Sequence, residues 1–149
     1  MDCYSCRSLS GEKRISPGPV IAEETYWIVE HAYPTAIRGW LVIVLKRHAE
    51  ALHDLSQEEF AELAQIQYRL AQIMGQDAQT EKEYAMCLAE AEHFQHIHIH
   101  FIAKPKDLPT EARGPRIFSQ LNVDEQHTLP IEEVISICTD FAEKYQALT

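Results

Sequence analysis

No apolar run in the 149 residues approaches the 18 or so that a membrane-crossing helix needs, so a soluble chain is expected. Positive charge is in short supply. Thirteen Lys and Arg stand against 23 Asp and Glu, for a net charge of −10, which argues against a protein that grips nucleic-acid backbones and leaves any anionic ligand to a local site. The first residues, MDCYSCRSLSGEKR, lack the apolar stretch and small-residue cleavage site of a secretory leader, and a cytoplasmic location is expected. Repeats and low-complexity tracts are absent, and the length suits one domain over 1–149. Only four cysteines occur. Two of them form the pair Cys3-x-x-Cys6, which in a reducing compartment is metal-binding or redox-active more often than a structural disulfide. Cys87 and Cys138 lie in apolar stretches and are expected to be small buried hydrophobes.

Proline and glycine punctuate the chain at SPGP (16–19), GW (39–40) and RGP (113–115), marking loops. The β-branched and aromatic segments 25–31 and 39–46 read as neighbouring strands, and 82–90 and 96–103 as two more. Ser56-Gln57-Glu58-Glu59 has the form of a capping box, so a helix should start there. Phe60, Leu63, Ala64, Leu70, Ala71 and Met74 then recur at helical spacing as a core-facing stripe, with Gly75 as a left-handed stop. After a long loop, Pro130 suits a first helical turn, and Ile131, Val134, Ile135, Cys138, Phe141 and Ala142 form the apolar face of a C-terminal helix. The order is α+β: an antiparallel sheet with one central helix and one C-terminal helix.

The chemistry concentrates in HIHIHFI (96–102). On a strand, period 2 sends Ile97, Ile99 and Phe101 to one face and His96, His98 and His100 to the other. One face is expected to be core, the other chemistry or solvent. From the residues alone, Cys3 and Cys6 are half of a zinc site, a redox pair or an accident of the terminus; zinc needs two further ligands. His31, His53 and His127 are expected to be surface or capping histidines.

The segment from His96 to Ile102 resembles the His-φ-His-φ-His-φ-φ signature (φ apolar) of the histidine triad superfamily. GWLVIVLKRHAEALHDLSQEEFAEL (39–63) is similar to that family's strand, Lys-Arg-His turn and helix opening. The Cys-x-x-Cys pair resembles the zinc-bearing bacterial members, and KDLPTEARGPRIF (106–118) the dinucleoside-polyphosphate-hydrolase-like ones. The resemblance implies a histidine triad fold and a nucleotide hydrolase or transferase that cleaves a P–O or P–N bond at the α-phosphate. The catalytic histidines implied are His98, His100 and His96. His98 is the nucleophile that forms a nucleotidyl-histidine, and His100 holds phosphate oxygens and aids the leaving group. No metal is required for the chemical step. Cys3, Cys6, His48 and His96 are implied as ligands of a structural zinc, with His93 a substitute for His96. A homodimer is also implied, with a nucleotide as substrate and neither nucleic acid nor membrane as partner.

The sequence departs from the family pattern in places that thin the phosphate contacts. Trp40 replaces a further histidine after Gly39, removing a polar partner of the triad. The loop before the triad reads Glu92-His93-Phe94-Gln95 in place of Gly-Gln-(Ser/Thr)-Val, and the strand exit is Ala103-Lys104 in place of Pro-Arg. Gln95 and Lys104 are therefore the expected substrate-binding residues, with Lys106, Arg113 and Arg116 as a candidate basic rim. The alternative is a nucleotide- or partner-binding module with little turnover; a metal-storage protein is a third reading.

Overall fold

A computed structural model of the protein describes residues 2–149. Five antiparallel strands, β1 (Ala22–Glu23), β2 (Trp27–His31), β3 (Trp40–Leu45), β4 (Thr80–Met86) and β5 (His98–Pro105), form one sheet in the order β1-β2-β3-β5-β4. Three helices accompany them: the short α1 (Tyr4–Leu9), the central α2 (Gln57–Gly75) and α3 (Ile131–Ala147). The expected α+β class and helix order are observed, with α1 and three 3-10 turns added.

Both faces of the sheet are covered, which the expected single core face did not anticipate. Val29 of β2, Ile43 of β3 and Ile99 and Phe101 of β5 join Leu63, Ile66 and Leu70 of α2 and Val134 and Cys138 of α3 in the main core. On the opposite face Trp40, Ile102 and Ile117 anchor a second, smaller core under the 3-10 segment 114–120. Residues of β2 are buried without interruption for this reason, as expected of a strand covered on both sides.

The capping box forms: Ser56 Oγ accepts from the Glu59 amide at 3.1 Å, and the Glu59 carboxylate accepts from the Ser56 amide at 2.9 Å. The helix faces are rotated from expectation. Phe60 and Ala64 face outward while Ile66 and Ile73 are buried on α2; on α3, Ile131 and Ile135 are exposed and Ile137 and Tyr145 take their places. Gly75 is the last residue of α2 and does not adopt a positive φ; the helix ends through Gln76 in the right-handed region. Pro130 caps α3 from outside, one position before the first helical residue. No described helix is long and apolar enough to cross a membrane.

Candidate functional site

The register of β3 on β5 builds the site. Val44 pairs with His98, Val42 with His100 and Trp40 with Ile102, so these side chains share one face. His98 opens β5 with its ring 4.9 Å from that of His100, centroid to centroid. His98 Nδ1 lies 2.7 Å from the His96 carbonyl oxygen. A carbonyl only accepts, so the neutral ring carries its proton on Nδ1 and its Nε2 lone pair is free. Burial pushes the His98 pKa down, against the opposing hydrogen bond to His96. His100 is pushed down to about 4 by burial and by His98. Both rings are therefore neutral at neutral pH.

His98 and His100 open onto a cavity of about 470 Å³. Its walls are mostly apolar: Val42 and Val44 from β3, Phe94 and Leu88 from the loop before β5, and Phe118 and Leu121 from the cover of the second core. Among the described lining residues there is no lysine or arginine, whereas Glu30 and Glu90 both face it. Burial pushes the Glu30 pKa up while Arg14, 3.4 Å away, draws it down.

His31, expected at the surface or in a cap, is 1% exposed and lines this cavity. Its Nδ1–H donates to the Ala32 carbonyl at 2.7 Å, and its Nε2 accepts from the Gly39 amide at 3.1 Å. Burial, with the Arg38 charge nearby, pushes its pKa down to about 4 against the opposing hydrogen bond to Ala32. Gly39 makes this bond with φ +80°, and a Cβ there would come within 3.0 Å of the Ala103 Cβ, so glycine is required. His53 and His127 are exposed as expected.

His96 points elsewhere. It precedes β5, is fully buried, and its Nε2–H donates to the Leu45 carbonyl at 2.6 Å. Its Nδ1 lies 3.6 Å from Cys3 Sγ and 3.5 Å from Cys6 Sγ, and His48 Nδ1 lies 3.4 Å from Cys6 Sγ. Tetrahedral zinc at ordinary bond lengths spaces sulfur and nitrogen ligands about 3.5 Å apart, so Cys3, Cys6, His48 and His96 fit such an ion. Their ligand atoms all lie within 4.8 Å of one another. His48 Nε2 donates to Glu50 at 2.8 Å. Both rings thus present Nδ1 lone pairs inward while their N–H groups are held from behind, an outer-shell arrangement typical of metal histidines. His93 does not join the cluster; it stacks on Tyr4 at 4.5 Å. With both ring nitrogens engaged, His96 has none for the cavity, and only its carbonyl reaches His98.

The Cys/His cluster and the cavity share a wall. Ser5, between the two cysteines, and Ile15 both line the cavity. The Tyr4 amide donates to the His93 carbonyl at 3.0 Å and so pins the loop before β5, in which Ala89 and His93 adopt positive φ of 49° and 68°.

Neither Gln95 nor Lys104 lines the cavity. Lys104 is 2% exposed and paired with Glu81 at 2.7 Å. Arg113 and Arg116 turn to the Leu108 and Thr110 carbonyls, so the expected basic rim does not form around the cavity. Trp40, expected to remove a polar partner, supplies one: its indole Nε1–H donates to His100 Nδ1 at 3.0 Å. Reading β3 against β5 would have found it, because Trp40 lies diagonal to His100 across the pair.

The fold and the paired histidines on β5 define a histidine triad protein. Residues 2–114 match the family model described as scavenger mRNA decapping enzyme C-terminal binding, and the chain belongs to that family. Among solved structures it is similar to a zinc-bound histidine triad family protein from Mycobacterium smegmatis (18% identity, 100% of this chain and 99% of that one, TM-score 0.68). It is also similar to a Hit-like protein involved in cell-cycle regulation from Bartonella henselae (15%, 96% of each chain, TM-score 0.69). A hypothetical histidine triad nucleotide-binding protein from Sulfolobus tokodaii is a third (16%, 98% and 93%, TM-score 0.66). No curated protein matches the chain.

Proposed function

We propose that the protein is a nucleotide hydrolase or transferase that cleaves a P–O or P–N bond at an α-phosphate through His98. The observation that carries this reading is the bond from His98 Nδ1 to the His96 carbonyl, which leaves the Nε2 lone pair of a neutral imidazole in the cavity. Nε2 attacks phosphorus; the N–P bond forms as the bond to the leaving group breaks, and the leaving oxygen or nitrogen departs with that electron pair, taking a proton from solvent. The ring becomes an N-phosphoryl imidazolium whose Nδ1–H stays on the His96 carbonyl. His100 stabilises the charge on the phosphoryl oxygens. Water, or an acceptor hydroxyl, then attacks phosphorus; the N–P bond breaks, its electron pair returns to Nε2, and the proton of the attacking oxygen passes to solvent.

The cation-free lining supports a substrate with one ionised phosphoryl group, such as a nucleoside phosphoramidate or monophosphate ester, over a dinucleoside polyphosphate. The same absence favours the second reading, a binding module with little turnover. Zinc held by Cys3, Cys6, His48 and His96 serves as a structural tie and takes no part in the chemistry; a zinc-bound relative and the ligand spacing support it. The edge position of β4 and the exposed Phe60 and Tyr68 on α2 support a homodimer.

The test is release of nucleoside monophosphate from a dinucleoside polyphosphate, a nucleoside phosphoramidate and a nucleoside monophosphate ester by the protein and its His98→Ala variant. Turnover that disappears in the variant supports the hydrolase. Background release by both on every compound, with binding retained, favours the module.

A further inference from the structure

His100 is a neutral imidazole, so one of its nitrogens carries a proton and the other does not. Which one decides whether the ring offers a phosphoryl oxygen a hydrogen bond or a repelling lone pair. We propose that Trp40 is a positioning residue that keeps the proton of His100 on Nε2, so that the ring meets the cavity as a hydrogen-bond donor.

The indole Nε1–H is a donor with no acceptor capacity. At 3.0 Å from His100 Nδ1 it requires a lone pair on that nitrogen. The remaining proton of the neutral ring therefore sits on Nε2. No described buried side-chain nitrogen or oxygen is without a partner, and His100 Nε2 makes no hydrogen bond to the protein, so it is reached by solvent, through the cavity that His100 lines.

Trp40 is itself closely packed. It is fully buried in the second core beside Ile102 and Ile117, and it packs edge-on against both His100 and Phe118. Phe118 meets His100 from another side at 5.0 Å, so the imidazole is held in plane as well as in tautomer. The titratable groups facing His100 are His98 on its own strand and, around the cavity, Glu30 and His31 of β2, Tyr33 of the following loop and Glu90 of the loop before β5. None of them hydrogen-bonds to it. The indole is the sole described protein partner of its ring nitrogens, and it disfavours a second proton on Nδ1 by confronting it with another N–H.

This inference rests on the hydrolase reading for its catalytic consequence, but its test does not. In protein labelled with nitrogen-15 at histidine and tryptophan, scalar coupling between Trp40 Nε1 and His100 Nδ1 is expected. His100 should show a bare Nδ1 and a protonated Nε2 from pH 5 to pH 8. A proton on Nδ1, or absence of the coupling, overturns the proposal even if the enzyme turns over. In Trp40→Phe, which keeps an aromatic ring in the core, Nδ1 is expected to take up its proton at least one pH unit higher than in the parent. An unchanged titration also overturns it. If that variant does not fold, the parent spectrum decides alone. Where turnover is found, Trp40→Phe should lower kcat about tenfold, less than loss of a whole oxyanion donor, with KM within about twofold. Loss confined to KM counts against a role in tautomer control. Absence of turnover in the parent sinks the hydrolase reading and leaves the tautomer result standing.

Discussion

His96 and His98 are joined by a 2.7 Å contact from the Nδ1 of His98 to the carbonyl oxygen of His96. One residue thus faces two sites, with its ring toward Cys3 and Cys6 and its backbone toward the candidate nucleophile. Geometry at the Cys/His cluster is therefore geometry at the candidate nucleophile, two residues along the chain.

Removing the metal should loosen one wall of the cavity. The protein as isolated is expected to hold about one zinc per chain, released by a thiol-blocking reagent, and His48→Ala should hold much less. In that variant, proteolysis is expected to reach the segment from Cys3 to Ile15 first, because α1 loses its tether while the sheet keeps both cores. Metal-free protein with readily titrated Cys3 and Cys6 thiols and an uncut N-terminal segment would contradict this.

Charge at the cavity mouth should tune the substrate. Glu90 is exposed on the loop before β5 and faces the cavity. Reversing it with Glu90→Lys is expected to lower KM for a dinucleoside polyphosphate about fivefold, the effect of roughly 1 kcal/mol between surface charges. A singly charged phosphoramidate should change less. Steady-state kinetics at two salt concentrations check it, since the gain must shrink as salt rises. Lys104→Met, by contrast, should leave KM unchanged, because Lys104 is spent on Glu81.

Acid should weaken the fold through His31 and His100. Both pKa values are pushed down from 6.5 to about 4. Between these limits the unfolded chain binds protons that the folded rings refuse, so stability is fully present above about pH 6.5 and falls as pH drops toward 4. Each group contributes at most about 3 kcal/mol. Urea unfolding at a series of pH values should show His31→Gln with a shallower loss by close to one proton; equal slopes for parent and variant would refute the assignment.

The start of α2 offers a stability test independent of any activity. Ser56→Ala should cost about 1 kcal/mol, the usual value of an N-cap. Glu59→Ala should cost about twice that, because the carboxylate also accepts from Arg47 Nη2 and Nε, both at 3.0 Å, although the half-exposed arginine limits the pair's share. Chemical denaturation of both variants and the double mutant checks this, with less than additive loss expected because Ser56 and Glu59 cap reciprocally.

Signals in the sequence are legible where the physics is local. The capping box at Ser56 needs only four residues, and the alternation of His98, Ile99, His100 and Phe101 needs only a strand. The helix faces were read less well because α2 and α3 carry apolar residues on their outer sides. Phe60 and Tyr68 on α2, and Ile131 and Ile135 on α3, compete with the true stripes. His31 was misplaced for a different reason. Its burial depends on the amide of Gly39, eight residues on, which becomes a partner only after β2 and β3 pair. Around Lys104 the sequence shows a cation near the triad but not Glu81 across the strand pair, with which it is paired. The grouping of Cys3 and Cys6 with His48 and His96 is legible only through family resemblance, since nothing local relates Cys3 to His48 or His96.

Those ligands are far apart along the chain: Cys3 and His96 are 93 residues distant. Bringing them together closes loops that span two thirds of the protein, and the entropy of closure grows with loop length. The N-terminal pair has no finished partner until β3 delivers His48 and β5 has docked to carry His96 into place. Zinc capture at these four residues is therefore expected only after β3 and β5 have paired, so that a tightly bound ion would report an assembled sheet.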